Sequence, residues 1–201
     1  MLFDNHNRLI NYARIAVTDR CNLRCSYCMP NEGIDFLPKN ALMTAAEIVR
    51  VMQILAHLGI NKVRITGGEP FVRRDLIEIL RGGINTAKIQ QIAITTNATH
   101  IIPHIKTLKI LGVRSVNLSL DSLSPTRFLE MTRRDAFDTV FKALHLLLDN
   151  DFDVKINTVV MPQKNEEDIL KMVQLTENLP ITVRFIEEMP EESLDKSYAG
   201  G

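Results

Sequence analysis

The sequence predicts an α/β chain built as a partial (β/α)6 barrel with a TIM-like arrangement of parallel strands. Two patterns carry that expectation. Short β-branched runs alternate with helix-patterned stretches along most of the 201 residues, joined by short links, and such alternation means a parallel sheet covered by helices. Each strand run also has one apolar and one polar face at period two. An open sheet with helices on both faces would read as nearly continuous apolar strands. One polar face per strand instead points to an incomplete barrel whose inner wall meets a ligand.

The elements follow in order. Tyr12–Thr18 reads as the first strand, with Ile15 and Val17 opposing Arg14, Ala16 and Thr18. A loop over residues 19–38 is closed by Pro38. Thr44-Ala-Ala-Glu47 is a capping box that starts a helix running to about Leu58, and Gly59 stops it. Lys62–Thr66 is the second strand, with Lys62, Arg64 and Thr66 on its polar face. Gly67-Gly68-Glu69-Pro70 follows, then a helix from about Asp75 to Arg81. Gln91–Thr95 leads through Thr96-Asn97 to a helix near Pro103–Leu111. Ser115–Leu120 is followed by Asp121-Ser-Leu-Ser-Pro125, a short helix, and a longer one near Phe137–Asn150. Val154–Val160, a helix over Glu166–Asn178 with Asn165 or Glu166 near its cap, and a sixth strand at Ile181–Ile186 complete the pattern.

Composition narrows the function classes. A hydrophobic share of 45% with 24% charged residues is that of an ordinary globular domain. The formal net charge is zero, so no global field favours nucleic acid or an anionic membrane. Met-Leu-Phe-Asp-Asn-His at the start lacks the blocks of a signal peptide, and the apolar stretches fall short of a spanning helix. Three closely spaced cysteines argue against a disulfide framework and for a reducing compartment, the cytoplasm. No P-loop, dinucleotide fingerprint or catalytic triad is present.

The cysteines carry the chemistry. Cys21-Asn-Leu-Arg-Cys25-Ser-Tyr-Cys28 places three thiols in C-x3-C-x2-C spacing on the loop after the first strand. Barrel enzymes set their active sites at this C-terminal end of the strands. Thiolates suit iron–sulfur clusters, zinc and copper(I). A cubane held by three cysteines leaves one iron open, whereas structural zinc calls for a closed set of four ligands. None of the five histidines lies near the trio to supply a fourth ligand.

That spacing, with an aromatic residue before the last cysteine, resembles the signature of the radical S-adenosylmethionine (SAM) enzymes. Val-Thr-Asp-Arg-Cys-Asn-Leu-Arg-Cys-Ser-Tyr-Cys-Met-Pro30 is similar, within them, to the GTP 3′,8-cyclase family of molybdenum cofactor (molybdopterin) biosynthesis. The resemblance runs from about Tyr12 to Pro190. It implies a [4Fe-4S] cluster on Cys21, Cys25 and Cys28, with SAM bound at its open iron and cleaved to a 5′-deoxyadenosyl radical that acts on GTP. It further implies SAM contacts from Tyr27, Gly68, Ser119 and Met189, and GTP contacts from Arg14, Arg64, Thr95 and Lys155, with Lys62 and Arg184 as further cations. The residues support this independently. Arg14, Lys62, Arg64, Lys155 and Arg184 all fall on polar strand faces, where buried cations need partners. A polyphosphate would meet that need, and Asp19, Glu69 and Asp121 are the alternative partners. Arg73, Arg74, Arg133 and Arg134 read as solvated surface charge.

The chain departs from the family in one respect. Family members are longer and carry three more cysteines for a second cluster, and no cysteine follows Cys28 here. Ser197-Tyr-Ala-Gly-Gly201 nevertheless resembles the family's terminal double-glycine tail. The expected organisation is a barrel domain over 1–190 and a short tail over 191–201. The expected partners are GTP, an electron donor, and a second copy or another chain supplying the missing region. A radical SAM enzyme with a different substrate and a non-catalytic cluster- or GTP-binding remnant are the alternatives.

Overall fold

The computed structural model describes residues 2–30, 33–86 and 89–188. Six strands form one parallel sheet in chain order: β3 (Tyr12–Ala16), β4 (Lys62–Thr66), β5 (Gln91–Thr96), β6 (Ser115–Ser119), β7 (Asp153–Val160) and β8 (Ile181–Glu187). Each pairs with the next, and β3 and β8 are not joined, so the barrel is open. The expectation of a partial barrel holds, with strand ends moved by one or two residues. A small antiparallel pair, β1 (Leu2–Phe3) with β2 (Leu9–Ile10), precedes the sheet and carries no pattern long enough to read in advance.

Helices cover the apolar faces. They are α1 (Ala45–His57), α2 (Leu76–Thr86), α3 (Ile105–Ile110), α4 (Pro125–Thr132), α5 (Phe137–Asp149) and α6 (Asp168–Asn178). Val63, Ile65, Ile94, Val116, Leu118 and Ile156 are fully buried in one core with Ile48, Met52, Ile79, Leu80, Leu108 and Leu144 of the helices. Burying each such side chain contributes about 1.5–3 kcal/mol, so this face dominates the stability. The α1 capping box is present in both directions: Thr44 Oγ1 accepts from Glu47 N at 3.3 Å, and Thr44 N donates to Glu47 Oε2 at 2.7 Å. Beyond α1, Gly59 sits at φ +100°, a left-handed position that glycine takes without strain.

α2 is longer than the sequence suggests. The expected end lies near Arg81, yet the helix continues through Gly82 and Gly83 to Thr86. A Cβ on Gly82 would lie 2.5 Å from Val49 Cγ2, and one on Gly83 2.5 Å from Met52 Sδ. Both glycines therefore mark the close approach of α1 and α2, and that packing outweighs their poor helix propensity. Near α6, Asn165 Oδ1 accepts from Met161 N at 2.8 Å and its amide reaches the Asp121 and Val159 carbonyls at 2.7 and 2.8 Å. Asn165 is thus a buried loop tie and not the helix cap.

Register assigns the other face of the sheet. Arg14 lies beside Arg64, which pairs with Ala93; Ala93 pairs with Ser115, and Ser115 with Asp153. Thr95 lies beside Asn117, which pairs with Lys155, while Ser119 pairs with Asn157 and Asn157 with Arg184. The polar wall expected from the strands is therefore one continuous surface.

Candidate active site

The loop after β3 brings Cys21, Cys25 and Cys28 to a cavity of about 170 Å³, shared with Thr66 at the end of β4, Gly67 and Gly68 after it, Thr95 and Thr96 of β5, Ser119 at the end of β6 and Asp121 beyond it. All three thiols are free; Cys25 is buried and Cys28 exposed. Tyr27, Gly68, Thr95 and Ser119, expected from the sequence, meet here. Met189 and the terminal double glycine lie outside the described residues.

The loop is held from several sides. Its backbone donates to the end of α4, from Arg24 N to Thr132 O at 2.9 Å and from Ser26 N to Met131 O at 2.8 Å. The Gly67-Gly68 turn meets it from β4: Gly68 N donates to Thr18 O at 2.7 Å and Glu69 N to Arg20 O at 2.8 Å. A Cβ on Gly68 would overlap the Arg20 carbonyl, and Gly67 stands at φ +144° with the Thr18 backbone against it. Both glycines are required by this backbone-to-backbone contact. Their carbonyls accept no hydrogen bond among the described residues, which leaves acceptors at the cavity rim.

Glu69 also lines this cavity, but its carboxyl is fully engaged. Its Oε1 accepts from Phe71 N at 3.0 Å and Thr96 Oγ1 at 2.7 Å, and Oε2 accepts from Asn97 N at 2.7 Å. The carboxyl is fixed to the turn and to the end of β5, and burial pushes its pKa up against these hydrogen bonds. Its role is to position Asn97, whose side chain donates to Cys21 Sγ at 3.7 Å and to Asn22 Oδ1 at 3.0 Å. On the far side, Tyr27 donates its hydroxyl to Asp121 Oδ2 at 2.8 Å, and Asp121 Oδ1 accepts from Val159 N at 2.8 Å. Burial raises the Asp121 carboxyl to about 6 and, with Asp121 beside it, raises the Tyr27 hydroxyl well above its ordinary range. The thiols divide. Cys28 falls to about 7, chiefly through its hydrogen bond with Cys25, while that bond and burial push Cys25 up. Burial also raises Cys21.

Three soft donors on one cavity wall fit an iron–sulfur cluster by their chemistry. Among the described residues, no group of three or more His, Cys, Asp or Glu side chains closes round a single ion.

The basic residues form a separate arrangement. Arg14 and Arg64 are register neighbours, and the proximity of Arg14 and Arg184 adds to the burial that lowers the Arg64 guanidinium. Arg14 Nε donates to the Tyr12 hydroxyl at 3.2 Å, and Arg64 stacks over the Tyr12 ring at 5.6 Å. Among the described residues, Arg64 Nε is buried without a hydrogen-bond partner, as are both amide atoms of Asn117 and Oδ1 of Asn157. Such orphaned groups are costly unless a ligand satisfies them. Lys155, by contrast, pairs with Asp153 at 2.8 Å, a carboxylate on the inner wall that the sequence reading did not weigh. Among the described residues, Asp19, Glu69 and Asp121 pair with none of the five inner-wall cations. Lys62 lines a different cavity of about 570 Å³, with Asn61, Gln91 and Arg114 at the opposite strand ends. Nor is Arg73 solvated: its side chain is 11% exposed and donates to Val17 O at 2.6 Å, Met43 O at 2.8 Å and Asp75 at 2.7 Å. Arg133 donates to Met29 O at 3.0 Å from a left-handed backbone position, φ 55°.

Asn22, Asn97, Asp121 and Asp153 are the site residues that sequence reasoning left without a functional role. A chemical signal existed for two of them, since Asn97 directly follows β5 and Asp121 lies two residues beyond β6, on the rim that carries the cysteines.

Residues 15–176 match the model of the Radical SAM superfamily. The chain is 44% identical over 191 residues to "GTP 3′,8-cyclase, mitochondrial" of Arabidopsis thaliana, covering 94% of this chain and 49% of that protein. It is 42% identical over 187 residues to "GTP 3′,8-cyclase" of Clostridium perfringens (strain SM101), covering 93% and 58%. It thus spans about half the length of these curated relatives. Among solved structures, Streptococcus suis SuiB bound to S-adenosylmethionine superposes with a TM-score of 0.73 at 22% identity, over 90% of this chain and 41% of that one. Methylornithine synthase (PylB) gives 0.71 at 18% identity, over 89% and 53%. These likenesses support the partial-barrel fold. No helix among the described residues is long and apolar enough to cross a membrane.

Proposed function

This chain belongs to the radical SAM superfamily, and we propose that it is the barrel portion of a GTP 3′,8-cyclase, binding SAM beside a [4Fe-4S] cluster and holding GTP along the inner wall. The observation that carries this reading is the single cavity shared by three free thiols, the Gly67-Gly68 turn, Thr95 and Ser119. Its support is the relatives' names, at 42–44% identity.

Cys21, Cys25 and Cys28 would hold the cluster, and when bound it supplies the electron that cleaves SAM to methionine and a 5′-deoxyadenosyl radical. The residues of the chain bind, orient and exclude water. The rim carbonyls of Gly67 and Gly68 would take the SAM ammonium. Tyr27, fixed by Asp121, and Ser119 would flank the nucleoside, with Met189 beside them. Arg14, Arg64 and Arg184 would receive phosphate oxygens, with guanidinium forks suited to such anions. Lys155 would join them on exchanging Asp153 for phosphate, Thr95 would add a neutral hydrogen bond, and Lys62 would act from the opposite mouth. Holding the ribose near the radical centre matters greatly, since a misplacement of about 1 Å can cost ~10²-fold in rate.

The test is anaerobic reconstitution followed by assay of 5′-deoxyadenosine from SAM with and without GTP. GTP-stimulated formation, with deuterium transferred from GTP labelled at C3′, is expected. Formation indifferent to GTP would replace GTP with another substrate. A full cluster with no formation would leave a binding protein.

A further inference from the structure

The side chain of Asn97 belongs to a closed set of hydrogen bonds that fixes which way its amide points. Its Oδ1 accepts from Thr99 N at 3.0 Å and from Thr99 Oγ1 at 2.7 Å. Asn22 Nδ2 donates to Thr99 Oγ1 at 2.8 Å, which leaves Asn22 Oδ1 to accept from Asn97 Nδ2 at 3.0 Å. The hydroxyl of Thr99 has one proton, given to Asn97 Oδ1, so it accepts from Asn22. Flipping the Asn97 amide would set its NH₂ against the Thr99 backbone N–H, a donor that cannot reverse. The ring of three side chains therefore admits one orientation, with the second Nδ2 proton directed at Cys21 Sγ, 3.7 Å away. The backbone is fixed as firmly, since Asn97 N donates to the buried Glu69 carboxylate and Glu69 also takes the Phe71 and Thr96 donors. Asn97 is only 7% exposed.

We propose that Asn97 is a positioning residue that donates an N–H···S hydrogen bond to the Cys21 thiolate, raising the reduction potential of the cluster and so setting how readily it accepts an electron. This rests on the reading of Cys21, Cys25 and Cys28 as cluster ligands. The physical reason is charge. Reduction adds an electron to the cluster, spreading negative charge onto the cysteine sulfurs, and a fixed donor stabilises that form more than the oxidised one. Hydrogen bonds to sulfur are among the main determinants of cluster potential. The arrangement differs from a purely structural amide because the ring would close through Asn22 and Thr99 alone, without a proton facing sulfur. It also ties the potential to the substrate-facing rim, because the segment that carries Asn97 continues directly from Thr95 and Thr96 of β5.

The experiment is a redox titration of the reconstituted protein followed by electron paramagnetic resonance. Wild type is compared with Asn97→Leu, which removes the donor, and Asn97→Asp, nearly isosteric, which replaces the donor with an oxygen. With iron and sulfide contents equal to wild type, both variants are expected to show a lower midpoint potential, Asn97→Asp the lower of the two. Equal contents with an unchanged midpoint would overturn the proposal. Should neither variant retain a cluster, wild-type protein carrying ¹⁵N only in asparagine side chains decides the matter. A ¹⁵N hyperfine coupling on the reduced cluster supports the bond, and its absence overturns it. A wild-type protein that takes up no four-iron cluster would instead refute the underlying reading of the cysteines.

Discussion

Asp121→Asn should make the metal-free protein more stable at neutral pH, and the gain should disappear in acid. The carboxyl is buried, with Tyr27 and Val159 as donors, and burial outweighs both by raising it from 3.8 to about 6. Between those values the folded state binds more protons than the unfolded chain, so stability falls as pH rises through this window. The contribution is fully present below about pH 4 and lost above about pH 6. A change of this size corresponds to about 3 kcal/mol. Asparagine keeps the geometry: Oδ1 accepts from Val159 N while Nδ2 donates to the Tyr27 oxygen, and nothing ionises. Urea titrations of both proteins at pH 4 and pH 8 measure the difference. With a slope of about 2 kcal/mol per molar, the variant's midpoint should exceed wild type's by about 1.5 M at pH 8 and match it near pH 4. A difference that is the same at both pH values would refute the reasoning, because it would mean that desolvation of this carboxylate does not set its cost.

Gly68→Ala should cut cluster uptake sharply while leaving the far-UV spectrum unchanged, because its Cβ would overlap the Arg20 carbonyl and displace the cysteine loop; iron analysis after reconstitution reads this. Gly83→Leu should destabilise by roughly 1–3 kcal/mol through overpacking against Met52, seen as a lower urea midpoint with uptake retained. Arg64→Met should weaken GTP binding at least tenfold in equilibrium dialysis without affecting iron content, because it removes the guanidinium whose Nε is buried without a partner. Asp153→Asn should change stability by no more than about 1 kcal/mol, since its pair with Lys155 is partly exposed, and should tighten GTP binding by freeing the lysine.

The fold was legible because period and propensity agree along the chain. Ile15 and Val17, Val63 and Ile65, and Ile92 and Ile94 read as one apolar face each, and the structure buries all six in a single core. The α1 capping box was readable for the same reason, as local chemistry decides it. Legibility failed where a distant element overrules local preference. Gly82 and Gly83 look like a helix end until α1 is packed against them. Asn165 looks like a helix cap until the Asp121 and Val159 carbonyls are brought to its amide. Val159 lies near Asn165 in sequence, but Asp121 and α1 lie outside any local window.

The site divides along the same line, and the division has a functional meaning. Cys21, Cys25 and Cys28 are close in sequence, so their spacing reveals their chemistry. The groups that hold them are remote: Thr132 and Met131 from α4, Asp121 after β6, Asn97 after β5 and Gly68 after β4. A loop of this length has few internal hydrogen bonds with which to fix three donors, and its conformation is therefore set by the strand ends of the barrel. Those same strand ends bear Thr95 and Ser119, which line the cavity. Anything bound against that rim therefore bears directly on the segments that position the thiols. Asn97 is the shortest such link, since its segment continues from β5 at one end and its amide meets sulfur at the other. A ligand that shifted β5 by a few tenths of an ångström would alter the Asn97–Cys21 hydrogen bond before it altered any covalent contact. In an open barrel with an unclosed β3–β8 seam, that coupling would make electron acceptance by a cluster held on these thiols responsive to occupancy of the rim.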